Sequence, residues 1–296
     1  MQMNSKAKGF AAGILAAVFY GTNPLGTLYL YQDGITSSSV LFYRYALAVA
    51  MFALWMVVKG EDFRIKLGHA IRFAVLGAFF AMSSVTLYLS FHHMDAGIAS
   101  TILFCYPIMT AVLMVAFFHE RITWGTTGSI VMAVAGIGLL YRGDGSGTLS
   151  PVGISLVLQS SLLYAFYIIG VNRFQTSYSS LKFTFWIVLF GLLCILAFTW
   201  ISGDTLQLLT TVPQWVNALQ LALLPTVLSL FCMTIAIKNI GSTPAAIMGA
   251  LEPVTAVVIG VCVFAESFSF RLGVGIFLIL SAVIVLILSK KNQRLT

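Results

Sequence analysis

The chain reads as a series of long apolar runs separated by short polar breaks. Uncharged stretches cover residues 9–32, 45–58, 73–94, 96–119, 122–141, 145–172, 183–203, 205–237 and 272–289. A hydrocarbon core is crossed by about 20 helical residues, and most of these stretches reach that length. Residues 130–140 and 272–289 are apolar on every face, whereas a barrel strand alternates apolar and polar over about ten residues. With no water to satisfy the backbone, such runs must close their hydrogen bonds internally, as a helix does. Cutting at Gly, Ser, Pro and charged clusters predicts ten spans, over 10–31, 38–58, 72–92, 96–118, 124–141, 151–171, 183–201, 217–237, 243–264 and 272–289.

Composition agrees: 59% hydrophobic residues against 8% charged, with mean hydropathy +0.99, cannot cover a water-soluble sphere. The lipid bilayer is therefore the chain's first partner. The net charge of +7 does not point to nucleic acid, because Lys and Arg are scattered through the loops without a basic stripe. Their sidedness is informative. With the N-terminus inside, the inner segments hold Lys6, Lys8, Lys59, Arg64, Lys66, Arg72, Arg121, Arg173, Lys182, Lys238, Lys290, Lys291 and Arg294, and the outer ones hold only Arg142 and Arg271. This bias predicts both termini in the cytoplasm and a multi-pass protein of a bacterial plasma membrane. Lys6 and Lys8 before an apolar run resemble a signal peptide, but the run continues to Tyr31 without a cleavage site and reads as an uncleaved first helix. The four cysteines fall in apolar segments, with no paired spacing, and read as core residues.

An internal repeat adds the architecture. At an offset of 146, Pro107 meets Pro253, Glu120 meets Glu266, Ser83 meets Ser229 and Ala99 meets Ala245; at 144, Gly9 meets Gly153 and Tyr20 meets Tyr164. The halves 1–144 and 145–296 each hold five helices, and an odd number inserts the second copy upside down. The expected fold is an all-α membrane protein of ten transmembrane helices in two inverted five-helix repeats.

Few side chains can carry chemistry. Arg44 and Glu252 are the charged residues well inside predicted spans, where a charge costs at least about 2.5–3.5 kcal/mol on insertion scales and so needs a partner, a watery cavity or a neutral form. Glu252 either contacts an ammonium group or proton, or hydrogen-bonds its neighbours around Pro253. Arg44 either snorkels to the surface on its long stem, binds a substrate carboxylate, or pairs with Glu252. Pro24, Pro107 and Pro253 interrupt predicted helices and read as hinges or static kinks. Tyr20, Asn23, Tyr106, Gln159 and Tyr164 are the other intramembrane candidates for contacting a substrate. Glu120 and Glu266 each stand between one helix and the next, where a carboxylate complements the exposed amides and macrodipole; both read as structural. His92 and His93 are adjacent on the chain and cannot face one ligand, so no metal site is expected.

The segments Leu251-Glu252-Pro253-Val254-Thr255-Ala256 with Ala265-Glu266, and Tyr106-Pro107-Ile108 with His119-Glu120-Arg121, resemble the paired signature of the EamA-like branch of the drug/metabolite transporter superfamily. The Tyr20-Gly21-Thr22-Asn23 element and Arg44 extend the resemblance over the whole chain. It implies a ten-helix fold with a central cavity between the halves and often export of amino acids or related metabolites. The inverted repeat points to a secondary carrier of small-molecule substrates working by alternating access, for which no cofactor is expected and a monomer suffices. A nucleotide-sugar or sugar-phosphate exchanger is the alternative, although such anions call for more intramembrane cations than Arg44. No HExxH, phosphate loop or Ser/His/Asp set points to an enzyme, and no selectivity motif to a channel.

Overall fold

Every regular element in the described part of the computed structural model, which comprises residues 5–118, 124–141, 150–174, 178–240 and 248–293, is helical. The helices are α1 (Ser5–Gly21), α2 (Asn23–Gln32), α3 (Ser37–Lys59), α4 (Leu67–Ser90), α5 (Ala96–Leu103), α6 (Tyr106–Phe118), α7 (Trp124–Tyr141), α8 (Pro151–Arg173), α9 (Ser180–Ile201) and α10 (Val212–Ala222), which a π turn at Leu223–Leu228 joins to α11 (Ser229–Ile240), followed by α12 (Leu251–Phe264) and α13 (Phe270–Gln293). They account for the ten predicted crossings, because α1 with α2, α5 with α6, and α10 with α11 each form one broken crossing. Seven stretches are long and apolar enough to traverse a bilayer unaided, and 127–139 and 251–264 are shorter apolar helices.

The loops gather at two ends. At one end, Lys182 Nζ lies 3.9 Å from Asp62, the Ser179 hydroxyl donates to Glu61, and the Tyr178 hydroxyl accepts from the Lys66 amide at 3.3 Å. At the other, the segment between α9 and α10 is tied to the start of α3. There the Ser38 hydroxyl donates to Asp204 at 2.6 Å, and Gln207 accepts from the Thr36 amide at 2.6 Å and donates to the Gly34 carbonyl at 3.1 Å. Helices starting with an oxygen-bearing cap show why the boundaries fall here: Thr36, Ser150, Ser179 and Thr211 each accept a backbone N–H of the following first turn.

Packing is between specific pairs: α1 against α11, α4 against α8 and α9, α3 against α9, α5 against α12, and α7 against α13. Small polar residues link some of these pairs, as expected where lipid removes the hydrophobic drive for helices to associate. The Ser83 hydroxyl donates to the Ser160 carbonyl at 2.9 Å, linking α4 to α8. The Ser229 hydroxyl donates to the Ala16 carbonyl, also at 2.9 Å, linking α11 to α1.

All three prolines of the hinge reading stand in the first turn of a helical segment, just after a break: Pro24 follows Thr22, Pro107 follows Phe104 and Cys105, and Pro253 follows the turn at Gly249 and Ala250. There the missing N–H removes no internal bond. Side chains satisfy the groups released at the first break, with the Thr22 hydroxyl donating to the Phe19 carbonyl at 2.7 Å and the Asn23 amide to the Tyr20 carbonyl at 2.9 Å. Two expectations change. The cysteines are not all core residues, since Cys262 is exposed. Glu266 caps a different crossing from the expected one: it follows α12, but its carboxylate accepts from the Ala96 and Gly97 amides at the start of α5, at 2.9 and 3.3 Å. Folding, not chain order, brings that N-terminus within reach. Glu120 lies outside the described residues.

Candidate functional site

The three helix breaks surround one polar, aromatic cluster. Arg44, on α3, is 1% exposed, so it does not snorkel. Its Nη1 donates to the Tyr88 hydroxyl at 2.9 Å, and that hydroxyl donates onward to Asn23 Oδ1 at 3.1 Å. Its Nε donates to Thr226 Oγ1 at 3.1 Å. The guanidinium carbon also lies 5.5 Å from the Tyr88 ring centre and 5.9 Å from that of Tyr45, within cation–π range. Nη2 is buried with no acceptor among the described residues.

Thr226 is in place because of its neighbour. Pro225 has no N–H to give the carbonyl of Leu221, and the helix widens into a π turn across Leu223–Leu228. The Thr226 hydroxyl donates to that Leu221 carbonyl at 3.1 Å, leaving its oxygen lone pairs for Arg44. A proline defect in one helix is thus converted into a hydrogen-bond acceptor for the cation of another.

Glu252 opens α12 and is half-buried. No hydrogen bond reaches its carboxylate from the described residues, and the one ion pair among them is that of Lys182 with Asp62; the expected alternative of an Arg44–Glu252 pair is not formed. Tyr20 nevertheless lies near both groups, its hydroxyl within reach of the Arg44 guanidinium without an aligned hydrogen bond, and Tyr106 and Tyr164 lie near Glu252. Gly21 allows this convergence, because a Cβ there would stand 2.6 Å from the Glu252 carbonyl and 2.5 Å from Thr255 Cβ. An aromatic wall continues from the charges: Tyr106 stands edge-on to Tyr164 at 4.7 Å, Tyr164 meets Tyr167 at 5.5 Å, and Tyr167 meets Phe80 at 5.1 Å. Tyr20, Tyr106, Tyr164 and Tyr167 are half-buried.

Six of the seven candidate contact residues, Tyr20, Asn23, Arg44, Tyr106, Tyr164 and Glu252, therefore belong to one cluster. Gln159 does not. It is exposed, in a stripe of α8 with Val152, Ser155 and Leu162, while Ser160 and Ser161 are buried; one helical step of about 100° separates the two faces. Tyr45, Tyr88, Tyr167 and Thr226 were not anticipated. The available signal for Thr226 was the intramembrane Pro225 before it. Among the described residues, no three of His, Cys, Asp and Glu converge as metal ligands.

Comparisons with known proteins match this architecture. The chain is 25% identical over 191 residues to the "Uncharacterized transporter YetK" of Bacillus subtilis, a match covering 63% of this chain and 58% of that protein. It is 28% identical over 191 residues to the "Uncharacterized transporter sll1319" of Synechocystis, covering 62% and 56%. The chain thus spans less than two thirds of the length of the curated relatives it matches. A crystal structure described only as that of a protein superposes with TM-score 0.68 at 15% identity, covering 97% of this chain and 99% of the other, which shows a shared fold. The model of the EamA-like transporter family matches twice, over residues 7–142 and 151–288. The chain belongs to the EamA-like transporter family, part of the drug/metabolite transporter superfamily.

Proposed function

We propose that this membrane transporter is a secondary carrier, working in the direction of export, for small metabolites that bear both a carboxylate and an ammonium group, amino acids foremost. The observation that carries this reading is the buried Arg44 with an unused Nη2, in one cluster with the half-buried, unpartnered Glu252. A guanidinium held by one hydrogen bond each from Nε and Nη1 keeps the two N–H groups of Nη2 to offer a carboxylate, and a free carboxylate complements an ammonium. The tyrosines add hydroxyls and ring faces for the remainder of the cargo.

Alternating access between two inverted repeats is supported by recurring contacts. The Ser83–Ser160 link of α4 with α8 corresponds, position for position in the repeat, to the Ser229–Ala16 link of α11 with α1. A Cβ on Gly153 would meet His93 and Met94 at 3.0 and 2.8 Å, and one on its counterpart Gly9 would meet Asn239 and Ile240, both at 2.7 Å. Halves that repeat one packing scheme in opposite orientations can exchange conformations, and this converts an inward-open state into an outward-open one. The end rich in Lys and Arg faces the cytoplasm in this reading, with both termini, in the bacterial inner membrane. One chain supplies both sides of the site, so a monomer is sufficient.

The test is counterflow in liposomes, screening amino acids, sugars and cationic drugs with and without a pH gradient. Saturable counterflow of an amino acid, lost in Arg44→Ala, is expected. Exchange confined to sugar phosphates, or unchanged amino acid flux in both Arg44→Ala and Glu252→Gln, removes the reading.

A further inference from the structure

We propose that the chain holds a second, separate site for an amino acid with an apolar side chain, at the end of the bundle that carries Lys59 and Glu61; this rests on the reading of the protein as an amino acid carrier. A cavity of about 280 Å³ opens there between α3, α9 and α11. Its α3 wall follows from helical spacing, since Phe52, Trp55 and Lys59 recur every three or four residues and share one face. Leu230 and Phe231 of α11 close the apolar side, with the Trp55 and Phe231 rings 4.6 Å apart and edge-on.

The polar side holds two opposite charges that do not neutralise each other. Lys59 and Glu61 flank the left-handed turn at Gly60, where φ is 66°, and both line the cavity. They form no ion pair, and no acceptor among the described residues takes the Lys59 ammonium. Glu61 accepts one hydroxyl, from Ser179, on Oε2, which leaves Oε1 to accept another donor. An unpaired ammonium and a carboxylate with spare capacity, at the mouth of an aromatic pocket, are the complement of a free amino acid. Lys59 takes its carboxylate, Glu61 its ammonium, and the Phe52, Trp55 and Phe231 rings its side chain. At about 1.5 Å rise per residue, the α3 wall begins about 12 Å from Arg44 along the same helix. Cargo held here waits outside the central cluster, two turns from it.

Equilibrium binding of radiolabelled L-phenylalanine to the purified full chain tests the proposal. Two molecules per chain are expected for the wild type. The double variant Lys59→Gln with Glu61→Gln is expected to bind one, as is Thr184→Trp, which fills the cavity from α9 without touching either charge. Arg44→Ala is expected to lose the other molecule and keep this one. The proposal is overturned by a wild-type stoichiometry of one that Arg44→Ala abolishes, by two bound molecules in both cavity variants, or by no phenylalanine binding at all. It is also overturned if the cavity retains phosphatidylethanolamine, whose headgroup has the same paired charges, and phenylalanine does not displace it. The central reading is judged separately, by Arg44-dependent counterflow, and survives each of these results.

Discussion

Arg44 and Glu252 are the two charges of the central cluster, and they are held in opposite ways. Arg44 is fixed, with two hydrogen bonds and two ring faces around a guanidinium that is 1% exposed. Glu252 is half-buried, and no group among the described residues donates to its carboxylate. A fixed cation supplies geometry, because the free N–H groups of its Nη2 keep one direction whatever the cargo does. An unheld carboxyl group supplies adaptability, since it can take a proton, an ammonium or water as the conformation changes. The difference arises from local structure: Arg44 lies mid-helix among the side chains of α4 and the π turn, whereas Glu252 lies at a helix start, beside a break.

The contrast predicts unequal losses. Arg44→Ala is expected to lower amino acid counterflow about 100-fold, since a hydrogen bond to a charged group contributes ~1.5–3 kcal/mol and a buried network is left open; a loss below threefold would contradict a fixed recognition role. Glu252→Gln is expected to reduce amino acid flux about tenfold while sparing a carboxylic acid of the same shape that lacks the ammonium group, because the amide keeps the shape of Glu252 and discards the charge. Equal losses for both cargos would assign Glu252 to structure instead. Thr226→Val should weaken apparent affinity roughly three- to tenfold with Arg44 still charged, the loss of a single hydrogen bond. Unchanged affinity there would mean that Tyr88 alone positions the guanidinium.

The smallest effect concerns a carboxylate that is held. Burial raises the Glu266 carboxyl above its ordinary value of 4.5; the Ala96 amide opposes this, the Asp95 charge adds to it, and the Gly97 amide opposes it again. The folded protein then binds a proton more tightly than the unfolded chain, so this group's contribution to stability is full below 4.5 and declines as pH rises through the raised value. Thermal unfolding in detergent should show that decline in the wild type and a flatter profile in Glu266→Gln. Identical profiles would exclude Glu266 as the titrating group.

Much of this was legible in the chain. Ten crossings follow from apolar runs that lipid permits only as helices, and Arg44 and Glu252 stand out because charge at membrane depth is costly. Tyr20, Asn23, Tyr106 and Tyr164 were identifiable as polar groups inside spans. Periodicity alone could not orient them: Gln159 satisfied the same criterion, yet lies on the exposed face of α8. Nor could spacing reveal Thr226, whose hydroxyl reaches Arg44 across 182 positions of chain, or the partner of Glu266, which belongs to a crossing far earlier in the sequence.

The sequence by itself determined the family, the helical class, the number of crossings and which residues are expensive to bury, because each depends on composition and on contacts close along the chain. Only the tertiary structure decided that the Arg44 guanidinium is locked and the Glu252 carboxyl unheld, that Pro24, Pro107 and Pro253 stand in the first turns of helical segments, and that a π turn supplies an acceptor for Arg44. Those outcomes depend on which helix faces meet, and in a bilayer that is set by close packing of small and polar side chains, a property of pairs of surfaces that no single stretch of sequence contains.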